Sequence, residues 1–175
     1  MHKSFSIFLL LFFIACSGPR TEETAEQKQL EQTTTYFLIR HAEKDRTNPD
    51  DEDPKLNEDG LKRAGTWASV FSEIELDAIY SSDFKRTQQT VKPTAEIKNI
   101  PIKSYDPHTV YDTDFFEMTE GKRVLVVGHS NTIPKLANFL LKEERYENIP
   151  DSSNGRLYIV TKNGESVSGL VLSLE

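Results

Sequence analysis

"TTYFLIRHAEKD", Thr34 to Asp45, sets Tyr36, Phe37, Leu38 and Ile39 in an unbroken apolar row directly against an arginine, a histidine and a glutamate. Apolar side chains at successive positions, without polar alternation, suit a strand covered on both faces. Such strands belong to parallel sheets flanked by helices, and those sheets bind ligands where the loops leave the carboxyl ends of the strands. Arg40 and His41 stand at that end.

Downstream, strand and helix patterns alternate. "DEDPKLNEDG" is an acidic loop, with Asn57 or Asp59 placed to cap a helix whose apolar positions Leu61, Ala64, Trp67, Ala68 and Phe71 recur at helical spacing. "LDAIYSS" reads as a second strand, and "DFKRTQQTVKPTAEIK" as a helix interrupted or ended near Pro93. "IPIKSYD" is a short third strand, after which His108 to Glu120 carries no assignable period. "KRVLVVGHS" is a fourth strand ending at Gly128-His129, and "NTIPKLANFLLKEE" a helix that tolerates Pro134 in its first turn. The alternation around Asn163-Gly164 predicts a hairpin. The expected architecture is a three-layer α/β/α sandwich, with a mostly parallel central sheet and a C-terminal antiparallel hairpin.

The chain has 175 residues, enough for one ordinary core. Lys3 followed by "FSIFLLLFFIA" has the charged start and short apolar run of a secretion signal. The one cysteine, Cys16, follows directly and resembles the lipidated cysteine of bacterial lipoproteins. Residues 1–16 are therefore expected to be a lipoprotein-type signal, 17–34 a polar flexible linker, and 35–175 the folded domain. The expected location is the bacterial cell envelope, anchored by lipid in the periplasm or at the outer membrane. With one cysteine, no intramolecular disulfide holds the domain. Residues 1–16 carry one lysine and no acid, so their removal moves the formal charge from −7 to −8. That balance argues against nucleic acid as a partner, and any anion must be held by a local cluster.

Such a cluster is legible. Arg40-His41 and His129 stand at the carboxyl ends of two expected strands, and Arg86 in the first turn after another. Two guanidiniums and two imidazoles describe an anion site, and the planar fork of arginine suits phosphate. "LIRHAEK", "YSSDFKRTQQT" and "VLVVGHSNTIP", with "LNEDGLKRA" between the first two, resemble the signatures of the histidine phosphatase superfamily, also called phosphoglycerate-mutase-like. The resemblance runs from about Tyr36 to Leu141 in the family's order and spacing.

The resemblance implies that His41 is the nucleophile, forming a phosphohistidine while its other ring nitrogen donates to backbone. It also implies that Arg40, Arg86 and His129 bind the phosphoryl oxygens. The proton donor to the leaving group varies within the family. Asp106, at the end of the third strand, is the leading candidate here, with Asp112, Asp114, Glu117 and Glu43 as alternatives. His108 reads as a surface loop residue, and Lys44 as a rim charge that could add to a substrate site. No metal or organic cofactor is expected: "DEDP" at Asp51 to Pro54 fits no cation loop, and the arginines beside His41 and His129 would repel zinc. The expected function is metal-independent hydrolysis of phosphomonoesters or phosphoramidates, on a phosphorylated small molecule or a phosphoprotein. A phosphoglycerate-type mutase is the alternative within enzymes. The short span between Arg86 and His129 disfavours it, because a mutase must enclose its phosphorylated intermediate against water. A non-catalytic surface module binding phosphorylated sugars or headgroups is the alternative outside enzymes.

Overall fold

The structure is a computed structural model that describes residues 33–111 and 113–174. The expected signal, Cys16, most of the linker and Asp112 lie outside the described residues. Strand β1 spans Thr33–Arg40, followed by helix α1 (Glu58–Ser72), β2 (Ala78–Ser81), α2 (Lys85–Lys98), β3 (Ile102–Ser104), α3 (Thr113–Thr119), β4 (Arg123–Gly128), α4 (Thr132–Leu141), β5 (Arg156–Asn163) and β6 (Ser166–Ser173). They form one six-stranded sheet in the order β3-β2-β4-β1-β5-β6. The first four strands in that order run parallel, and β5 and β6 add antiparallel at the edge. β1 begins two residues inside the expected linker, because Thr33 and Thr34 pair with Asn163 and Lys162 of the hairpin.

The unbroken apolar row divides its side chains between two cores, as the strand pleat requires. Tyr36 and Leu38 join Val124, Val126, Ile133 and Leu136 under α3 and α4. Phe37 and Ile39 join Trp67, Phe71, Val91 and Val127 under α1 and α2. Each large side chain so buried stabilises the fold by roughly 1.5–3 kcal/mol. The expected three layers are therefore present, with β1 and β4 side by side at their centre.

Two local expectations give way. α2 does not stop at Pro93 but continues to Lys98, where Asn99 closes it in the left-handed conformation at φ 53°. Proline forfeits its own N–H bond and crowds the carbonyl one turn back, but the buried face of Thr90, Val91, Thr94 and Ala95 holds the helix through it. The unassigned segment contains α3, seven residues long. Its Phe115 stacks on Tyr36 with ring centroids 6.2 Å apart, and Thr119 Oγ1 lies 2.7 Å from Tyr36 Oη. So short a helix shows too few turns to display a period.

Two glycines set close approaches beside the strand ends. Asn57 caps α1 by accepting from the Gly60 N–H, and a Cβ on Gly60 would collide with the Glu43 carbonyl oxygen. The start of α1 is thereby pressed against the loop that leaves His41. At Gly128, a Cβ would meet Tyr105 Oη at 2.6 Å and Thr132 Oγ1 at 2.9 Å. The end of β4 thus seats directly under the loop that follows β3.

Candidate active site

The strand order places the carboxyl ends of β2, β4 and β1 side by side, and the loops leaving them enclose a cleft of about 310 Å³. Arg40, His41, Arg86 and His129 all line it, so the four residues of the expected cluster meet. Lys44 and His108 line it as well.

His41 is 5% exposed, and its Nδ1 lies 2.7 Å from the Ala42 carbonyl oxygen. A carbonyl only accepts, so Nδ1 carries the proton and Nε2 the lone pair. Burial, together with the charges of Arg40, His129 and Arg86, lowers the His41 pKa to about 3. The ring is therefore neutral at pH 7, the state in which its nitrogen can attack. Asn154 Nδ2 donates to the His41 carbonyl at 2.8 Å and fixes the backbone beneath the ring.

His129 packs edge-on to His41 with ring centroids 5.6 Å apart, and edge-on to Phe84 at 4.9 Å. Its Nε2 lies 2.9 Å from Ser82 Oγ. Burial first, and then the charges of Arg86 and Arg40, lower its pKa to about 4. Its backbone N–H donates to Thr132 Oγ1 at 3.0 Å, tying it to the start of α4.

The two arginines are held differently. Arg40 is 2% exposed: its Nη1 donates to the carbonyls of Pro150, Asp151 and Ser153, and its Nη2 to Asp151 Oδ1 at 2.7 Å. Arg86 lies over the Phe84 ring, 4.3 Å from its centroid, with Asp53 Oδ1 3.5 Å from Nη1. Each keeps a buried Nε–H without an acceptor. An unpaired buried donor costs about 1–3 kcal/mol, so the arrangement is unusual for a purely structural site.

Among the described residues, the carboxylates expected as proton donors do not line the cleft. Asp106 is exposed and accepts from the His108 N–H at 2.8 Å, so it stabilises its own turn. Glu43 grips Arg63 of α1 at 2.7–3.0 Å, and lines a neighbouring hollow. Asp114 and Glu117 lie exposed on α3, away from the cleft lining. Asp151, in no motif, is the carboxylate among the described residues that lines the cleft; it bridges Arg40 and Arg46, and the Arg40 bond holds its pKa below the usual range. Sequence reading missed Asp151 and Asn154 because their approach depends on β5 running antiparallel beside β1, which carries the segment before β5 over the end of β1. Among the described residues no three His, Cys, Asp or Glu side chains cluster as ligands for a cation.

Residues 36–107 match the histidine phosphatase superfamily (branch 1). Phosphoserine phosphatase 1 of Hydrogenobacter thermophilus is 42% identical over 75 residues, which are 40% of this chain and 35% of that protein. The chain thus spans about a third of that relative's length. Among solved structures, the protein histidine phosphatase SixA complexed with tungstate superposes with a TM-score of 0.61 at 18% identity, covering 79% of this chain and 96% of SixA. The phosphoglycerate mutase of Bacillus anthracis str. Sterne gives 0.63 at 13% identity, covering 84% of this chain and 95% of the mutase. At these identities the likeness is one of fold, which phosphatases and a mutase share.

Proposed function

We propose that this chain is a phosphohydrolase of the histidine phosphatase type, acting through a phosphohistidine on His41 and held in the cell envelope by lipid on Cys16. The observation that carries the reading is the state of His41. It is buried, neutral, fixed by Ala42 in the tautomer that leaves Nε2 unprotonated, and it borders a cleft with two guanidiniums and a second imidazole.

In the proposed reaction, Nε2 attacks phosphorus in line with the departing oxygen, and Arg40, Arg86 and His129 stabilise the charge on the non-bridging oxygens. Uncatalysed monoester hydrolysis is slow enough that an enzyme must remove on the order of 20 kcal/mol of barrier, and preorganised cations are the main resource here. Burial first, and then the neighbouring cations, depress the pKa values of the two histidines. A phosphoryl dianion reverses that balance and favours the His129 imidazolium, which then serves as a charged donor. Water completes the cycle by displacing phosphate from His41. The reaction requires no metal, because histidine supplies the nucleophile and the arginines the charge.

The test is turnover of an aryl phosphate by the full chain in the presence of chelator, beside a His41→Ala variant. Activity that persists in chelator and falls by at least about 10⁴-fold in the variant is expected. Activity unaffected by the substitution would sink the reading.

A further inference from the structure

Beside the cleft lies a larger groove of about 700 Å³, walled by Tyr111, Lys135 and Tyr146. Lys135 Nζ sits 5.1 Å from the Tyr111 ring centroid, giving that wall a mixed aromatic and cationic character. The cleft and groove share four lining residues, Pro107, His108, Asn131 and Thr132. A substrate with its phosphoryl group among His41, Arg86 and His129 and its remainder in the groove carries its scissile oxygen through that junction.

The chemistry of the four residues is unequal. Pro107 has no side-chain proton, the Asn131 amide does not dissociate, and the Thr132 hydroxyl accepts from the His129 N–H. An imidazole both carries and yields a proton near neutral pH. His108 is close enough to His129 for its charge to oppose protonation there. The Asp106 carboxylate, accepting the His108 N–H, holds the loop that presents the ring. Asp151, the carboxylate that reaches the cleft, is committed to Arg40 and Arg46 and held ionised by them. Lys44, another proton carrier of the cleft lining, also lines the hollow beside Glu43 and Arg46 and does not line the groove. Resting on the phosphatase reading, we infer that His108 is the group that protonates the departing ester oxygen, so that the enzyme is fitted to alkyl phosphates.

The steps balance. His41 Nε2 forms a bond to phosphorus as the P–O ester bond breaks. The electron pair goes to the leaving oxygen, which takes the proton of the His108 imidazolium and departs into the groove as an alcohol. Water then attacks the phosphohistidine, the P–N bond breaks with its electron pair returning to His41 Nε2, both water protons leave with inorganic phosphate, and His108 regains its proton from solvent.

The experiment compares 4-nitrophenyl phosphate, whose leaving group needs no proton, with glycerol 2-phosphate, whose leaving group does. The full chain is used as wild type, His108→Gln and Lys44→Met. His108 is exposed in its loop, so His108→Gln should melt with the wild type. The expected result is a loss of about 10²-fold or more in kcat on the alkyl ester for His108→Gln, with kcat on the aryl ester within about threefold of wild type. Equal loss on both substrates, loss on neither, or the selective loss appearing in Lys44→Met instead would overturn the assignment. Failure of the wild type on both substrates would overturn the phosphatase reading itself, and His108 with it.

Discussion

The floor of the cleft and its outer wall are built to opposite specifications. The floor is made from strand ends: Arg40 and His41 close β1, Gly128 and His129 close β4, and the side chains are held in place, Arg40 by three backbone carbonyls and Asp151, His41 by the Ala42 carbonyl and His129 by Ser82 Oγ. The wall draws on the loop after β3 as well as on α4: Asp106, His108 and Thr109 are exposed, and their local bonds are mostly to one another. Positioning for phosphoryl transfer tolerates little movement, so it falls to the sheet, while recognition of the remainder of the substrate falls to segments free to vary. The same division explains why the wall carried no sequence signature.

Substitutions can break this contrast, and the largest effects belong to the floor. Arg86→Ala should lower kcat/KM on an aryl phosphate by roughly 10³-fold or more, by analogy with arginines that stabilise phosphoryl transfer elsewhere, with the melting temperature little changed. A small kinetic effect would remove Arg86 from the charge-stabilising set. Gly128→Ala comes next. The added carbon would press on Tyr105 and Thr132, displacing His129, and steady-state assays should record a loss of about 10²-fold.

Acid stability probes the floor without substrate. His41 has its folded pKa near 3, below the unfolded value near 6.5, so between these limits the unfolded chain binds more protons and stability falls as pH falls. The slope from His41 alone is about 1.4 kcal/mol per pH unit within that window. Urea titrations at pH 7 and pH 4.5 should show the loss, and His41→Asn should reduce it; an unchanged pH dependence in the variant would contradict the burial of a neutral ring. For His129, binding of orthovanadate at pH 7 should be accompanied by proton uptake, measurable by calorimetry in buffers of different ionisation enthalpy. The smallest effect is assigned to the wall: Lys135→Met should leave kcat on a small aryl phosphate within about twofold, because Lys135 lines the groove and not the cleft.

How much of this was legible follows from the same contrast. The apolar rows of β1 and β4 declared strands buried on both faces, and their order with the helices between them implied the parallel sheet on which Arg40, His41, Arg86 and His129 converge. The proton donor was not legible. Asp106 was favoured because it follows β3, but whether a carboxylate faces a cleft or folds back onto its own turn depends on loop geometry, and here it accepts the N–H two residues on. Asp151 and Asn154 were hidden for a different reason. They lie more than a hundred residues from Arg40 and His41 in sequence, and only the pairing of β5 against β1 brings them there. Pro93 misled because helix-breaking is a local rule, and a buried helical face overrides it.

The central claim is that a neutral, buried His41 takes the phosphoryl group. Its most direct test is to mix the full chain with an aryl phosphate, quench in alkali, where a phosphohistidine survives, and locate the phosphate by peptide mass spectrometry. The account predicts a phosphoryl group on His41 that appears within one turnover and is absent in His41→Ala. Rapid turnover with no phosphate on His41, or with phosphate on another side chain, would contradict it.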